Sequence, residues 1–187
     1  MKKASGRKAS ISRRTRETKV ELKINLDGTG ECKCTLSDEF LRHMVETLAR
    51  YSRADIEVRA EGDIAHHLTE DVAITLGRGF RQALGAAPVK RIGSAIVPMD
   101  EALVQVSVDL IERPFVHVEV PDLMYEHFLR SFAMELRATM HTMVLRGKDE
   151  HHIVEATFKA LGLALSDAKI PIQGLMSTKA GVEWRTA

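Results

Sequence analysis

Residues 18–26, Thr-Lys-Val-Glu-Leu-Lys-Ile-Asn-Leu, alternate polar and apolar side chains. That period of two belongs to a strand with one face on a core. Asp27-Gly28-Thr29-Gly30 is a turn signal, so residues 31–36 are expected to return as the second strand of a hairpin. Ser37 is placed to cap a helix reaching about Arg50. Alternation resumes at Ile56-Glu57-Val58-Arg59-Ala60 and ends at Gly62. A helix then spans about His66 to Leu84, with Gly85 as its stop. The same order follows once more: strands near 104–110 and 115–120, a helix near 122–138, a strand near 139–145 and a helix from about 150 to 168. Pro98, Pro114, Pro121 and Pro171 fall at the expected edges or connections.

The second run is a copy of the first. Gly62-Asp63-Ile64-Ala65-His66-His67-Leu68-Thr69-Glu70 matches Gly147-Lys148-Asp149-Glu150-His151-His152-Ile153-Val154-Glu155, with every position displaced by 85 (66 to 151, 70 to 155). Gly77 and Gly162 keep that spacing. Phe40-Leu41-Arg42 resembles Phe128-Leu129-Arg130 at a spacing of 88, which implies a small slip between the halves. A single domain is expected over residues 1–187, built from repeats at about 7–86 and about 102–170, with residues 1–6 a basic tail. Its fold class is α+β: two half-domains, each a small mixed sheet with two helices on one face, the helical faces paired.

Composition changes little in this picture and excludes several functions. Hydrophobic residues are 44% and aromatic residues 5%, so the core is mostly aliphatic. A net charge of +1 gives no general attraction to nucleic acid or membrane. The basic run from Lys2 to Arg16 reads as a solvated tail entering a first strand rather than a nucleic-acid arm. No apolar stretch approaches the ~18 residues that a membrane span needs, and the N-terminus lacks the apolar core of a signal peptide. Cys32 and Cys34 read as reduced thiols of a cytoplasmic protein, with a metal role as the alternative.

His-His-x-x-Glu is a ligand spacing. On a helix, positions i and i+4 share a face, so His66 and Glu70 converge on one ion. Position i+1 lies about 100° round the helix, so His67 is aimed at a different ion. The second copy offers His151 and Glu155, with His152 directed elsewhere. Imidazole and carboxylate without thiolate suit manganese, iron, cobalt or zinc. One His-His pair would be ordinary surface polarity; two copies at fixed spacing, each with its glutamate, point to metal.

Several motifs, in order, resemble the imidazoleglycerol-phosphate dehydratase family. Arg7-x-Ala9-x-Ile11-x-Arg13-x-Thr15-x-Glu17-Thr18 and Leu26-Asp27-Gly28-x-Gly30 are similar to its opening. Phe40-Leu41-Arg42-His43-Met44, His66-His67-Leu68-Thr69-Glu70-Asp71, Pro98-Met99-Asp100-Glu101-Ala102-Leu103 and Asp109-Leu110-x-x-Arg113-Pro114 follow. His151-His152-x-x-Glu155-Ala156-x-Phe158-Lys159-Ala160 and Ser177-Thr178-Lys179 close a resemblance covering nearly the whole chain. It implies metal-dependent removal of water from imidazole glycerol phosphate, giving imidazole acetol phosphate in histidine biosynthesis. Two Mn2+ ions per subunit are implied on His43, His66, His67, Glu70, His141, His151, His152 and Glu155, acting as Lewis acids and template. It further implies phosphate contacts from Arg91, Arg113, Lys159, Ser177 and Lys179, proton transfer by Glu17, and a homo-oligomer, a 24-mer with sites at subunit interfaces. No nucleic-acid or membrane partner is implied. His117 and His127 receive no role and read as packing or surface residues.

Some positions depart from the family pattern. Arg42 stands where Asp usually precedes the histidine, and Thr35-Leu36-Ser37-Asp38-Glu39 replaces a glycine-rich lead-in. The stretch before His66 is about three residues short. Tyr51-Ser52 replaces His-Gly, Glu112 replaces Gly, and Asp149 replaces Asn. These changes keep two alternatives open: a diverged metal-dependent lyase or isomerase on a related phosphorylated substrate, or a non-catalytic metal-binding assembly protein.

Overall fold

The computed structural model describes residues 6–174 and residue 176. Twelve elements follow in order: β1 (Lys8–Arg14), β2 (Thr18–Asn25), β3 (Cys32–Thr35), α1 (Glu39–Ser52), β4 (Asp55–Gly62), α2 (Ala65–Leu84), β5 (Ile92–Met99), β6 (Ala102–Asp109), β7 (Phe115–His117), α3 (Leu123–Leu136), β8 (Thr139–Arg146) and α4 (Glu150–Ala168). They make two four-stranded sheets, ordered β1-β2-β4-β3 and β5-β6-β8-β7. Within each sheet two pairings are antiparallel, and the edge strand β3 or β7 runs parallel to its neighbour. A parallel neighbour needs a crossover, and α1 and α3 supply it.

The alternation read in residues 18–26 places Val20, Leu22 and Ile24 inward and Lys19, Glu21 and Lys23 outward. α2 lies on β1, β2 and β4, and α4 lies on β5 and β6. Between the sheets α2 packs along α3 and α1 along α4, so each half pairs its helices with those of the other. Phe80, Phe128, Phe132 and Phe158 are fully buried there, each contributing about 1.5–3 kcal/mol by its transfer from water. Gly77 and Gly162 mark the closest approaches. A Cβ on Gly77 would sit 2.2 Å from the Phe132 carbonyl oxygen, and one on Gly162 would sit 2.5 Å from Tyr51 Cβ.

Three expectations shift. Residues 31–36 close no hairpin on β2, because β3 crosses to the far edge and runs parallel to β4. The second sheet starts at Ile92, not near residue 102. Strand β5 hides from a period-two search because its outward positions include Ile92 and Ile96, while inward Gly93 lies against α4. The spacing of the first helix in each half is 84 rather than 88. N-caps Asp38 and Asp122, and left-handed C-caps Arg53 and Arg137, stand 84 positions apart (38 to 122, 53 to 137). Phe40 is therefore the counterpart of Met124, and His43 that of His127.

Candidate functional site

The duplicated helices each present a His/Glu pair at one end. His66 and Glu70 are one turn apart on α2, and α3 brings His127 against them. One ligand atom from each of the three lies within 4.8 Å of the others. The His66 and His127 rings stack at 5.3 Å. His127 Nε2 is buried, 3.4 Å from Glu70 Oε1, and makes no hydrogen bond. A buried nitrogen without a partner is costly, and three converging N/O donors suit a divalent transition ion. His127 is thus not a plain packing or surface residue. Its signal was the spacing of 84 from His43.

The other pair of helices repeats this arrangement more loosely. His43 Nε2 on α1 and His151 Nε2 on α4 approach Glu155 Oε2 at 3.2 and 3.3 Å. Lys159 Nζ takes Glu155 Oε1 at 2.9 Å. Burial pushes the Glu155 carboxyl up, but Lys159 and His43 outweigh it and hold it below the usual carboxylate range. A cavity of about 440 Å³ opens here, lined by His43, Glu46, Glu155, Lys159 and Cys32 among others.

His67 and His152 diverge from these clusters, as the 100° step requires. Each is held through Nδ1 by a carboxylate: His67 by Asp63 Oδ1 at 2.8 Å, His152 by Glu101 Oε2 at 2.7 Å. Those carboxylates, first among the causes, raise both imidazole pKa values. Glu101 also accepts the Lys148 and Asp149 amides, and its pKa falls to about 2. Glu17 and Glu101 occupy equivalent hairpin turns, 84 positions apart (17 to 101). Yet Glu17 Oε2 stops 3.8 Å from His67 Nδ1, because Asp63 already fills that role. Glu17 is set in place by a buried clamp. Asp71 on α2 accepts from Thr18 Oγ1 and pairs with Arg13, Nε at 2.9 Å and Nη2 at 2.8 Å. Thr15 Oγ1 accepts the Glu17 and Thr18 amides.

Among the described residues, His141, Arg91 and Arg113 join neither cluster. His141 stands on β8, on the sheet face turned away from the helices, its ring 5.4 Å from Phe115 and 6.1 Å from His117. Arg91 pairs with Asp109 at 2.7 Å and lines a separate cavity of about 330 Å³. Arg113 is exposed. Of the expected phosphate residues that the structure describes, only Lys159 adjoins a His/Glu cluster. Ser177 and Lys179 lie outside the described residues.

Several departures have local explanations. Asp63 makes good the shortened stretch before His66, accepting from the Ile64 amide as well as holding His67. Asp149 caps α4 by accepting the His152 amide, as Asn would. Glu112 has φ +60°, a conformation that favours Gly, and its carboxylate binds Arg81 and Arg137. Arg42 pairs with Glu39 on the helix surface.

Duplicated sheets around paired helices, with histidines and glutamates converging at the helix ends, define an α+β protein equipped to hold a metal ion. The imidazoleglycerol-phosphate dehydratase family model matches residues 37–165, and the chain belongs to that family. It is 45% identical over 187 residues to an imidazoleglycerol-phosphate dehydratase of Thermodesulfovibrio yellowstonii, covering 92% of this chain and 98% of the relative. With that of Dictyoglomus thermophilum it shares 40% over 181 residues, covering 92% and 97%. Among solved structures, the enzyme of Pyrococcus furiosus in complex with (S)-C348 superposes with a TM-score of 0.80 at 37% identity, covering 92% of this chain and 100% of that one. That of Staphylococcus aureus gives 0.78 at 27%, covering 88% and 99%.

Proposed function

We propose that the chain is a hydro-lyase that removes water from imidazole glycerol phosphate to give imidazole acetol phosphate, a step of histidine biosynthesis. The convergence of His127 with His66 and Glu70 carries this reading. One ion would be held by His66, Glu70 and His127, and another by His43, His151 and Glu155. His127 replaces His141 in the expected ligand set. Divalent ions such as Mn2+, when bound, supply Lewis acidity and a template for the imidazole ring. His67 and His152, with Nδ1 fixed by a carboxylate, would offer Nε2 as a ligand to sites completed by a neighbouring subunit.

The reaction must break a bond to hydroxide and remove a carbon-bound proton. Glu17 is the group for that proton. Its counterpart Glu101 is committed to His152 and two amides, whereas Asp63 leaves the Glu17 carboxylate free. Lys159 would hold the phosphate, with Arg91, Arg113, Ser177 and Lys179 from the same or an adjoining subunit.

Assembly is supported by the two outer sheet faces. The first carries Lys19, Glu21, Lys23, Glu57 and Arg59. The second exposes Ile92, Ile96, Phe115 and Met143 beside His141, an apolar patch of the kind that marks contacts between copies. A 24-mer agrees with this, as do free thiols with a cytoplasmic setting. No helix among the described residues is long and apolar enough to cross a membrane.

The test is the dehydration assay on manganese-loaded protein, with and without chelation, beside Glu17→Gln. The expected result is metal-dependent turnover, lost in Glu17→Gln with metal content unchanged. Turnover that survives verified metal removal would contradict the reading.

A further inference from the structure

Cys32 and Cys34 have no part in the reaction above. They lie two apart on β3, the edge strand that runs parallel to β4. Cys32 is registered with Ile56 and Cys34 with Val58, both inward-facing and buried, so the two thiols point at α1 rather than at solvent. Both are half-buried and free. Cys32 lines the same cavity as His43, Glu155 and Lys159.

Two residues apart on a paired strand, the Cβ atoms stand about 6.6 Å apart. A disulfide needs about 3.5–4.5 Å, so the pair stays a dithiol while β3 is paired. Both side chains leave the same face of the strand, so rotation about the two Cα–Cβ bonds can turn one sulfur toward the other. Two thiols on one strand face, the first of them on the cavity wall, suit a single soft atom bonded to both.

We propose that Cys32 and Cys34 form a dithiol capture site for trivalent thiophilic compounds, placed so that capture obstructs the His43–Glu155 cavity. With a monosubstituted arsenoxide the balance is simple. Two As–S bonds form, the As–O double bond is lost, and the two thiol protons leave with that oxygen as water. Arsenic remains trivalent and nothing is oxidised. The obstruction rests on the dehydratase reading; the capture does not.

The experiment treats the manganese-loaded oligomer with phenylarsine oxide and follows intact mass and turnover together. One adduct per subunit is expected, with turnover lost. Both changes should be reversed by a dithiol and resisted by an equivalent monothiol. Cys34→Ser, whose side chain is outside the proposed machinery, should keep basal turnover and bind the arsenical about 100-fold more weakly, the scale on which a second attachment raises avidity. Cys32→Ser should lose the adduct likewise. No adduct, or an adduct undiminished in Cys34→Ser, overturns the capture site. A full adduct with unchanged turnover overturns the obstruction. Protein that never turns over substrate would sink the dehydratase reading, while the mass measurement still decides the capture.

Discussion

Asp71→Ala removes the centre of the clamp that carries Glu17. Asp71 is 6% exposed, and its carboxylate serves both Arg13 and Thr18. Breaking a buried ion pair by deleting one partner costs about 3–5 kcal/mol. The Arg13 side chain is 37% exposed and regains water when released, which reduces the loss to about 2–3 kcal/mol. For a chain of this size each kcal/mol lowers Tm by about 2–4 °C, so a fall of roughly 4–12 °C is expected. The β1–β2 turn is freed from α2, and Glu17 with it, so kcat should fall more than KM rises. Asp71→Asn keeps an acceptor for Thr18 and should recover part of both losses. Calorimetry and steady-state kinetics on metal-verified protein read the two effects. A Tm within about 2 °C of wild type, or full kcat despite a lowered Tm, would refute the clamp.

Gly77→Ala should destabilise by about 1–3 kcal/mol, the usual cost of overpacking, because its Cβ meets the Phe132 carbonyl oxygen. A urea midpoint equal to wild type would show that α2 and α3 do not approach that closely. Asp55 gives a pH prediction. Burial pushes its carboxyl up, but the Thr29, Glu31 and Gly30 amides and the Asn25 side chain outweigh this and hold it below its ordinary value of 3.8. Its folded-state pKa is the lower one, so its contribution is present above pH 3.8 and disappears as pH falls through the folded value. Asp55→Asn should therefore lose stability at pH 7 and show a flatter decline in acid. Parallel acid profiles for the two proteins would exclude that role.

Much of this molecule was legible in its sequence, for physical reasons that also explain the gaps. Strand β2 and helices α2 and α4 announced themselves because each buries one face and wets the other. Strand β5 did not, since it is covered by α4 on one side and carries Ile92 and Ile96 on the other. The His/Glu pairs within one helix followed from helical periodicity alone. His127 was lost because its partners are on another helix, and because Phe40-Leu41-Arg42 and Phe128-Leu129-Arg130 suggested a false register. The N-caps Asp38 and Asp122 fix the true one. Glu101 and Asp71 act through contacts that depend on hairpin turns meeting helices, which no local pattern encodes.

The central claim is that each ion is gripped by the helix ends of both halves, and that His127 is a ligand of one of them. Manganese content per subunit, measured after saturation and desalting for wild type, His127→Ala and His141→Ala, tests it most directly. The account predicts about two ions in wild type, about one in His127→Ala, and about two in His141→Ala. Loss of an ion in His141→Ala, with His127→Ala fully loaded, would contradict it.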